Sequence, residues 1–395
     1  MNVPKLRFKE FSDEWQVMKI SNISSGITKG TTPKKYSDSG INFIKVENIH
    51  DNTITNINSY ISTNTHNGKL KRSILKENDI LFSIAGALGR TAIVKKDILP
   101  ANTNQACSII RLDNPDEIDL NYLINRLNNT DIKNYIFKCQ SVGAQPNLSL
   151  EQVNNILISY PSKTEQRKIG KLLSIIDKKI ELQSKKIEAL KLFKSGQIVK
   201  KIKSLDCKEV ELKKFGYFIS SNSIGKEKIT ISGVPLILYG DLYTKYSEEI
   251  TKINQYIKDN EKYIKSEIND LLFPTSTTVD AISLISPSVI NIANVVYGGD
   301  LLIFKTISSN VNPKFLSYQI NHFKRKEFAK KAQGTTIIHI HANDLLSSKV
   351  KIPDLNTQIL IAHFGNKINK KIELEILKLN KLKSLKKGLM QNLFV

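Results

Sequence analysis

The chain repeats itself at a separation of 192 residues, and that repeat restricts the possible folds more than any composition does. Tyr160-Pro161-Ser162-Lys163-Thr164-Glu165-Gln166-Arg167-Lys168-Ile169 returns as Ile352-Pro353-Asp354-Leu355-Asn356-Thr357-Gln358-Ile359-Leu360-Ile361. In the same register Asp177-Lys178-Lys179-Ile180-Glu181-Leu182 becomes Asn369-Lys370-Lys371-Ile372-Glu373-Leu374. A weaker echo lies upstream, where Asn78-Asp79-Ile80-Leu81-Phe82 answers to Asn269-Asp270-Leu271-Leu272-Phe273. Self-similarity at a long period marks units that repeat as structures. The plan is block, helix, block, helix, with boundaries at 1–161, 162–203, 204–353 and 354–395.

The two shorter segments read as helices. Each opens with a proline, Pro161 or Pro353, followed by a polar first turn, which suits a helix entry. Apolar residues then recur at spacings of three and four: Ile169, Leu173, Ile176, Ile180, Ile187 and Leu190 in the first copy. The second copy has Ile361, Phe364, Ile368, Ile372, Ile376, Leu379, Leu382 and Leu385, a heptad-like seam. About 40 residues of helix span about 60 Å. Such a stripe needs a partner, and one chain already supplies both members of an antiparallel pair. A coiled coil between two chains is the alternative. The blocks themselves read as mixed α/β (α+β) globules. Short β-rich runs at 41–46, 80–84 and 106–110, and again at 236–239, 271–273 and 301–304, alternate with polar turns. Helical patterns near 119–138 and 312–332 close each block.

The formal net charge of +22 favours an acidic partner, nucleic acid first. A coding bias toward Lys, Asn and Ile would raise it too, since 52 of the 59 basic residues are Lys. Its placement says more. Each block carries 19 basic and 15 acidic side chains, whereas the helices carry 13 against 4 and 8 against 3. There is no run of roughly 18 apolar residues, no apolar signal region and no paired cysteine spacing, so a soluble cytoplasmic protein is expected. Motifs for chemistry are scarce. No phosphate-binding G-x-x-x-x-G-K-[ST] loop and no metal-binding H-E-x-x-H occurs. His339-Ile340-His341 would set two imidazoles on one strand face without further ligands. Glu211-Leu212-Lys213 resembles the E-x-K element of some nucleases but lacks an upstream acid. No catalytic and no metal-ligating residue is assigned.

Gly30-Thr31-Thr32-Pro33, then Tyr36 and Gly40-Ile41-Asn42-Phe43, together with Asn104-Gln105, Gly143-Ala144-Gln145-Pro146-Asn147-Leu148-Ser149 and Pro161…Glu165-Gln166, follow one another in order. They resemble the motifs of the specificity subunits of Type I restriction-modification systems. The second half departs from the pattern: it lacks the G-x-T-P loop and has Thr357-Gln358 for Glu-Gln. The resemblance implies two tandem target-recognition domains separated by two long antiparallel coiled-coil helices with a pseudo-twofold internal repeat. Each domain would read half of a split site in double-stranded DNA. Two methyltransferase subunits, bringing S-adenosylmethionine, and restriction/translocase subunits, using ATP and magnesium, are the expected partners, and this chain would bind no cofactor directly. Lys29, Thr31, Thr32, Lys34, Lys35, Tyr36, Gln105 and Gln145 are the candidate DNA-binding residues. Lysines would neutralise phosphate, while hydroxyls and amides can reach base edges. The competing readings are a coiled-coil scaffold for other proteins and a self-contained nuclease.

Overall fold

Two continuous helices, Lys163–Lys203 and Leu355–Leu393, form the longest elements of the computed structural model, which describes residues 3–112, 117–139, 146–259 and 262–395. No helix among the described residues is long and apolar enough to cross a membrane. The chain divides into two units, residues 1–183 with 378–395, and residues 184–377. Each unit therefore holds one block plus a stretch of both helices.

In the first unit four antiparallel strands are ordered Ser24–Lys29, Cys107–Leu112, Ile80–Ser83 and Thr91–Ile93. Beside them lies a three-stranded sheet in which Ile41–Ile44 pairs antiparallel with Tyr60–Ile61 and parallel with Ala101–Thr103. A third pairing joins Gln16–Lys19 to Leu157–Tyr160, so the start and end of the block meet. Trp15, Phe82, Tyr122, Ile169 and Leu173 share one core with Leu393 and Phe394 at the end of the second long helix.

The second unit repeats this plan with additions. Gly216–Ser220, Leu301–Thr306, Leu271–Pro274 and Ser288–Ile290 form the sheet, widened by Glu249–Ile250. Val234–Ile237 again pairs antiparallel with one strand, Tyr256–Ile257, and parallel with another, Val296–Tyr297. Glu209–Glu211 pairs with Lys349–Lys351. The pairs Asn78-Asp79 and Asn269-Asp270 make the same turn. Asn78 and Asn269 sit at φ 70° and 76°, a region where asparagine is tolerated. Asp79 accepts the Lys76 N–H (2.7 Å) and pairs with Arg111 (2.6 Å). Asp270 accepts the Glu267 N–H (2.9 Å) and pairs with Lys305 (2.8 Å).

The helix-to-block joint also repeats. Gln166, buried, accepts the Asp119 N–H (2.9 Å) and donates to the carbonyls of Glu117 (3.3 Å) and Pro161 (2.9 Å). Gln358, equally buried, accepts from Asn312 N–H (2.8 Å) and donates to Asn310 (2.8 Å) and Pro353 (2.8 Å). Asp119 and Asn312 cap the helices Leu120–Leu127 and Pro313–Gln319, so each glutamine ties a long helix to the cap of a block helix. The residue before it is free to differ. Glu165 binds Arg7 (2.9 Å), whereas Thr357 bonds the helix-capping Asp354 (2.6 Å).

Within each unit the long helices run antiparallel, with Lys386 against Asp177 (2.6 Å) in the first and Lys186 against Glu375 (3.1 Å) in the second. Ile169, Leu173, Ile176, Ile187, Ile361 and Ile372 are buried; Ile180, Leu190, Phe364, Ile368, Leu379 and Leu382 are half-buried. Leu385 does not join the seam: it is 52% exposed, beside Lys386, which turns inward to Asp177. Ile376 is 38% exposed, because the inward position of that turn is taken by Glu375, 4% exposed and paired with Lys186. Near the helix ends the seam merges with the block cores. Ile198, Ile202 and Ile361 pack with Phe315 and Tyr318.

Candidate nucleic-acid interface

Antiparallel pairing brings the end of Ser24–Lys29, the start of Cys107–Leu112, the end of Ile80–Ser83 and the start of Thr91–Ile93 to one end of the sheet. Four connecting segments are bonded together there. The Gly30 N–H donates to Cys107 O (3.0 Å), Thr31 N–H to Thr103 O (3.0 Å), Ile84 N–H to Ala106 O (2.8 Å) and Leu148 N–H to Ile84 O (2.8 Å). Gly30 is required by close approach, since a Cβ would stand 2.1 Å from Asn104 O and 2.2 Å from Thr103 O.

This end gathers most of the residues singled out in the sequence. The Thr32 hydroxyl bonds the Gln105 side-chain oxygen, joining two stretches far apart in the chain. Lys29, Thr32, Lys34, Lys35, Tyr36 and Gln105 are exposed, and Thr31 is half-buried. The Tyr36 ring meets Phe43 edge-on at 5.5 Å, with the Lys45 ammonium 4.9 Å from its centroid. Gln145 lies outside the described residues. Gly143 and Ala144 of the same motif also lie outside them, and the described end of the motif is structural. Leu148 is buried, and Ser149 accepts the Gln152 N–H (3.0 Å) in a reciprocal cap that starts Leu150–Asn154. Cys107, beneath the loops, is buried, which pushes its thiol up to about 11 and leaves it unreactive.

Sequence reasoning assigned no such residues in the second block. The backbone finds them. Ser221 N–H donates to Leu301 O (3.0 Å), Thr275 N–H to Asp300 O (2.9 Å) and Ile340 N–H to Thr275 O (3.0 Å). In order, these reproduce the bonds Gly30 to Cys107, Ile84 to Ala106 and Leu148 to Ile84. The exposed side chains on this frame include Ser223, Lys226, Lys228, Thr278, Val279, Thr335, Thr336 and Ile337. The only available signal was the repeat register, because the side chains do not match those of the first block.

The weaker chemical candidates fall elsewhere. Glu211 pairs with Lys213 (2.6 Å) across the buried Leu212. His339 and His341 are both exposed on either side of the buried Ile340, and His341 starts the helix Ala342–Leu346. Among the described residues no group of three or more His, Cys, Asp or Glu is placed to hold a metal ion.

Residues 12–192 match the family model of the Type I restriction modification DNA specificity domain. The type I restriction enzyme MjaVIII specificity subunit of Methanocaldococcus jannaschii is 26% identical, across 96% of this chain and 91% of that one. The crystal structure of the S subunit of a Type-I restriction-modification system from M. genitalium has the same fold. Its TM-score is 0.59 at 16% identity, covering 100% of this chain and 99% of that one. A second structure, solved to describe complex assembly and conformational transition of the type I R-M system, aligns with a TM-score of 0.57 at 17% identity, covering 96% and 97%. The resemblance carried by the motifs is borne out in sequence and in fold.

Proposed function

We propose that this chain, similar along its whole length to the specificity subunits of Type I restriction-modification systems, is the subunit that reads DNA sequence in such a complex. One observation carries the reading. Each unit holds the same backbone frame at one end of its sheet, and the two frames display different side chains. Matched supports with unmatched surfaces are what a split, asymmetric DNA target requires. Lys29, Lys34 and Lys35 border the first frame and supply phosphate contacts that position the protein. Thr32 and Gln105 offer a hydroxyl and an amide to base edges.

The chain has no catalytic role in this reading. Methylation and cleavage fall to methyltransferase and restriction/translocase subunits, which bring S-adenosylmethionine, ATP and magnesium. The long helices, with their excess of basic side chains, link the two readings and fix the gap in the target. The test is methylation of a random DNA library by this chain co-expressed with its methyltransferase partner, read by modification-sensitive sequencing. A split motif with two defined halves and a constant gap is expected. A stable complex that yields no motif refutes the reading and leaves a protein scaffold.

A further inference from the structure

In the second unit a short two-stranded ribbon, of which Ser276 and Thr277 are buried, adjoins the sheet frame. Ser276–Thr277 pairs antiparallel with Ile338–His339, in the register Ser276 to His339 and Thr277 to Ile338. Beyond the last pair both segments bend, through Thr278 and Val279 on one side and through Thr336 and Ile337 on the other. The base is anchored, since Ile340 is buried in the core and Ile338 packs against it. The tip is held as well. Gln333 and His339 exchange both backbone bonds (2.8 and 2.7 Å). Gly334 turns the chain at φ 114°, where a Cβ would stand 2.1 Å from Ile337 O. On the other side, Val279 N–H donates to the Thr277 hydroxyl (3.2 Å), and Asp280 caps the next helix by accepting Ser283 N–H (2.7 Å).

Gln333 and His339 are exposed at the base of this turn, and beyond them the tip displays two apolar side chains. Val279 is 66% exposed and Ile337 49% exposed, among the hydroxyls of Thr278, Thr335 and Thr336. Guanidinium, the side chain best shaped for the paired acceptors of guanine, is absent. The only arginine of residues 204–353 is Arg325, which donates to Ile282 O (2.8 Å) and the Ser286 hydroxyl (2.9 Å). Lys226 and Lys228 stand on a separate turn, and Lys331 donates to Asp344 O (2.9 Å) and the Ser347 hydroxyl (2.7 Å). In the major groove each thymine presents a 5-methyl group and one acceptor, within reach of side chains exposed on a fixed turn. β-Branched side chains have few rotamers to lose when they pack against a methyl.

Resting on the reading of the chain as a DNA-sequence reader, we propose that Val279 and Ile337 at the ribbon tip read thymine methyl groups in the half-site that the second unit recognises. The threonine hydroxyls beside them bond the neighbouring base edges or phosphates.

Uracil in place of thymine removes the methyl and leaves base pairing intact. Once the methylated motif is known, duplexes carrying uracil at each thymine in turn are bound by the complex of this chain with its methyltransferase partner. The same series is run with Val279→Ser and Ile337→Ser combined. The wild type should lose about fourfold in affinity at one or two thymines of a single half-site, the factor expected from one unburied methyl. The double variant should show no uracil penalty at those positions and respond like wild type everywhere else. If no thymine position separates the two proteins, or if the half-sites contain no thymine, the proposal is overturned. Loss of the methyltransferase subunit from the double variant overturns it too, by making the tip a protein contact. A library that yields no motif at all refutes the DNA-reading function itself and takes this proposal with it.

Discussion

Lys194 and Lys386 occupy equivalent places in the repeat, yet their replacement by methionine should have very different consequences. Lys386 pairs with Asp177 at 2.6 Å, with side chains 19% and 35% exposed. Lys194 faces Asn369, the repeat counterpart of Asp177, at 2.7 Å. The missing carboxylate is supplied by the second block. Glu248, 4% exposed, receives the Lys194 ammonium on both oxygens (2.7 and 2.9 Å), and also contacts His322 (2.6 Å) and the Asn369 amide (2.9 Å). A partly exposed ion pair contributes about 0.2–1 kcal/mol. Removing one partner of a buried pair costs about 3–5 kcal/mol, because a desolvated charge remains. His322 and Asn369 still serve Glu248 after Lys194→Met, which places the loss near the lower figure, about 3 kcal/mol. Lys386→Met should cost under about 1 kcal/mol.

The two units need not unfold in one transition, so the readout should be local. Hydrogen exchange of the full-length chain, followed in peptides within 184–203 and 355–377 against those within 163–183 and 378–395, separates the two effects. A pH series adds a second constraint. Burial works to raise the Glu248 carboxyl, but His322 and Lys194 together hold it below the usual range. A depressed carboxylate contributes stability that is complete above its unfolded value, about 4.3, and is lost as pH falls through the folded one. Without Lys194 the carboxyl is held down less, so protection of the second unit's helix segments should fail at a higher pH than in wild type. Equal losses of protection for the two lysine variants, or an unchanged pH profile, would refute the argument.

Two further outcomes follow from the first frame. Gly30→Ala drives a methyl to within 2.1 Å of a backbone carbonyl, so the Gly-Thr-Thr segment must leave its register; specificity at one half-site should relax by about tenfold or more, read from the methylated motif, while the other half-site is retained. Combining Lys34→Ala with Lys35→Ala should weaken binding uniformly across sequences and lower the slope of log affinity against log salt by about 2, and an unchanged slope would remove this loop from the phosphate contacts.

Much of the architecture was legible because its determinants are local and occur twice. The proline entries and the spacing of Ile169, Leu173 and Ile176 announce the helices, and the offset between Gln166 and Gln358 marks two copies of one joint. What escaped is the polar part of the helix seam. Periodicity assigns the inner face to apolar residues and so points Ile376 inward, although Glu375 holds that place with Lys186. No spacing rule identifies a carboxylate whose partner lies on another helix. Likewise, nothing near Lys194 or Asn369 in sequence shows that Glu248 supplies the carboxylate of the Lys194 ion pair.

The candidate reading surfaces were half legible for a related reason. Gly30 and the Thr32–Gln105 contact belong to motifs because the backbone needs the first and the loops are joined by the second. Asn78, Asp79 and their counterparts Asn269 and Asp270 recur because both turns demand the same geometry and the same buttress. Val279 and Ile337 answer to no such demand: both stand in solvent on a ribbon whose backbone closes without them. Under selection for a particular DNA half-site, positions of this kind are the ones free to differ between two copies of one scaffold. Repetition therefore points to support, and the search for specificity belongs at exposed positions where matched frames carry unmatched side chains.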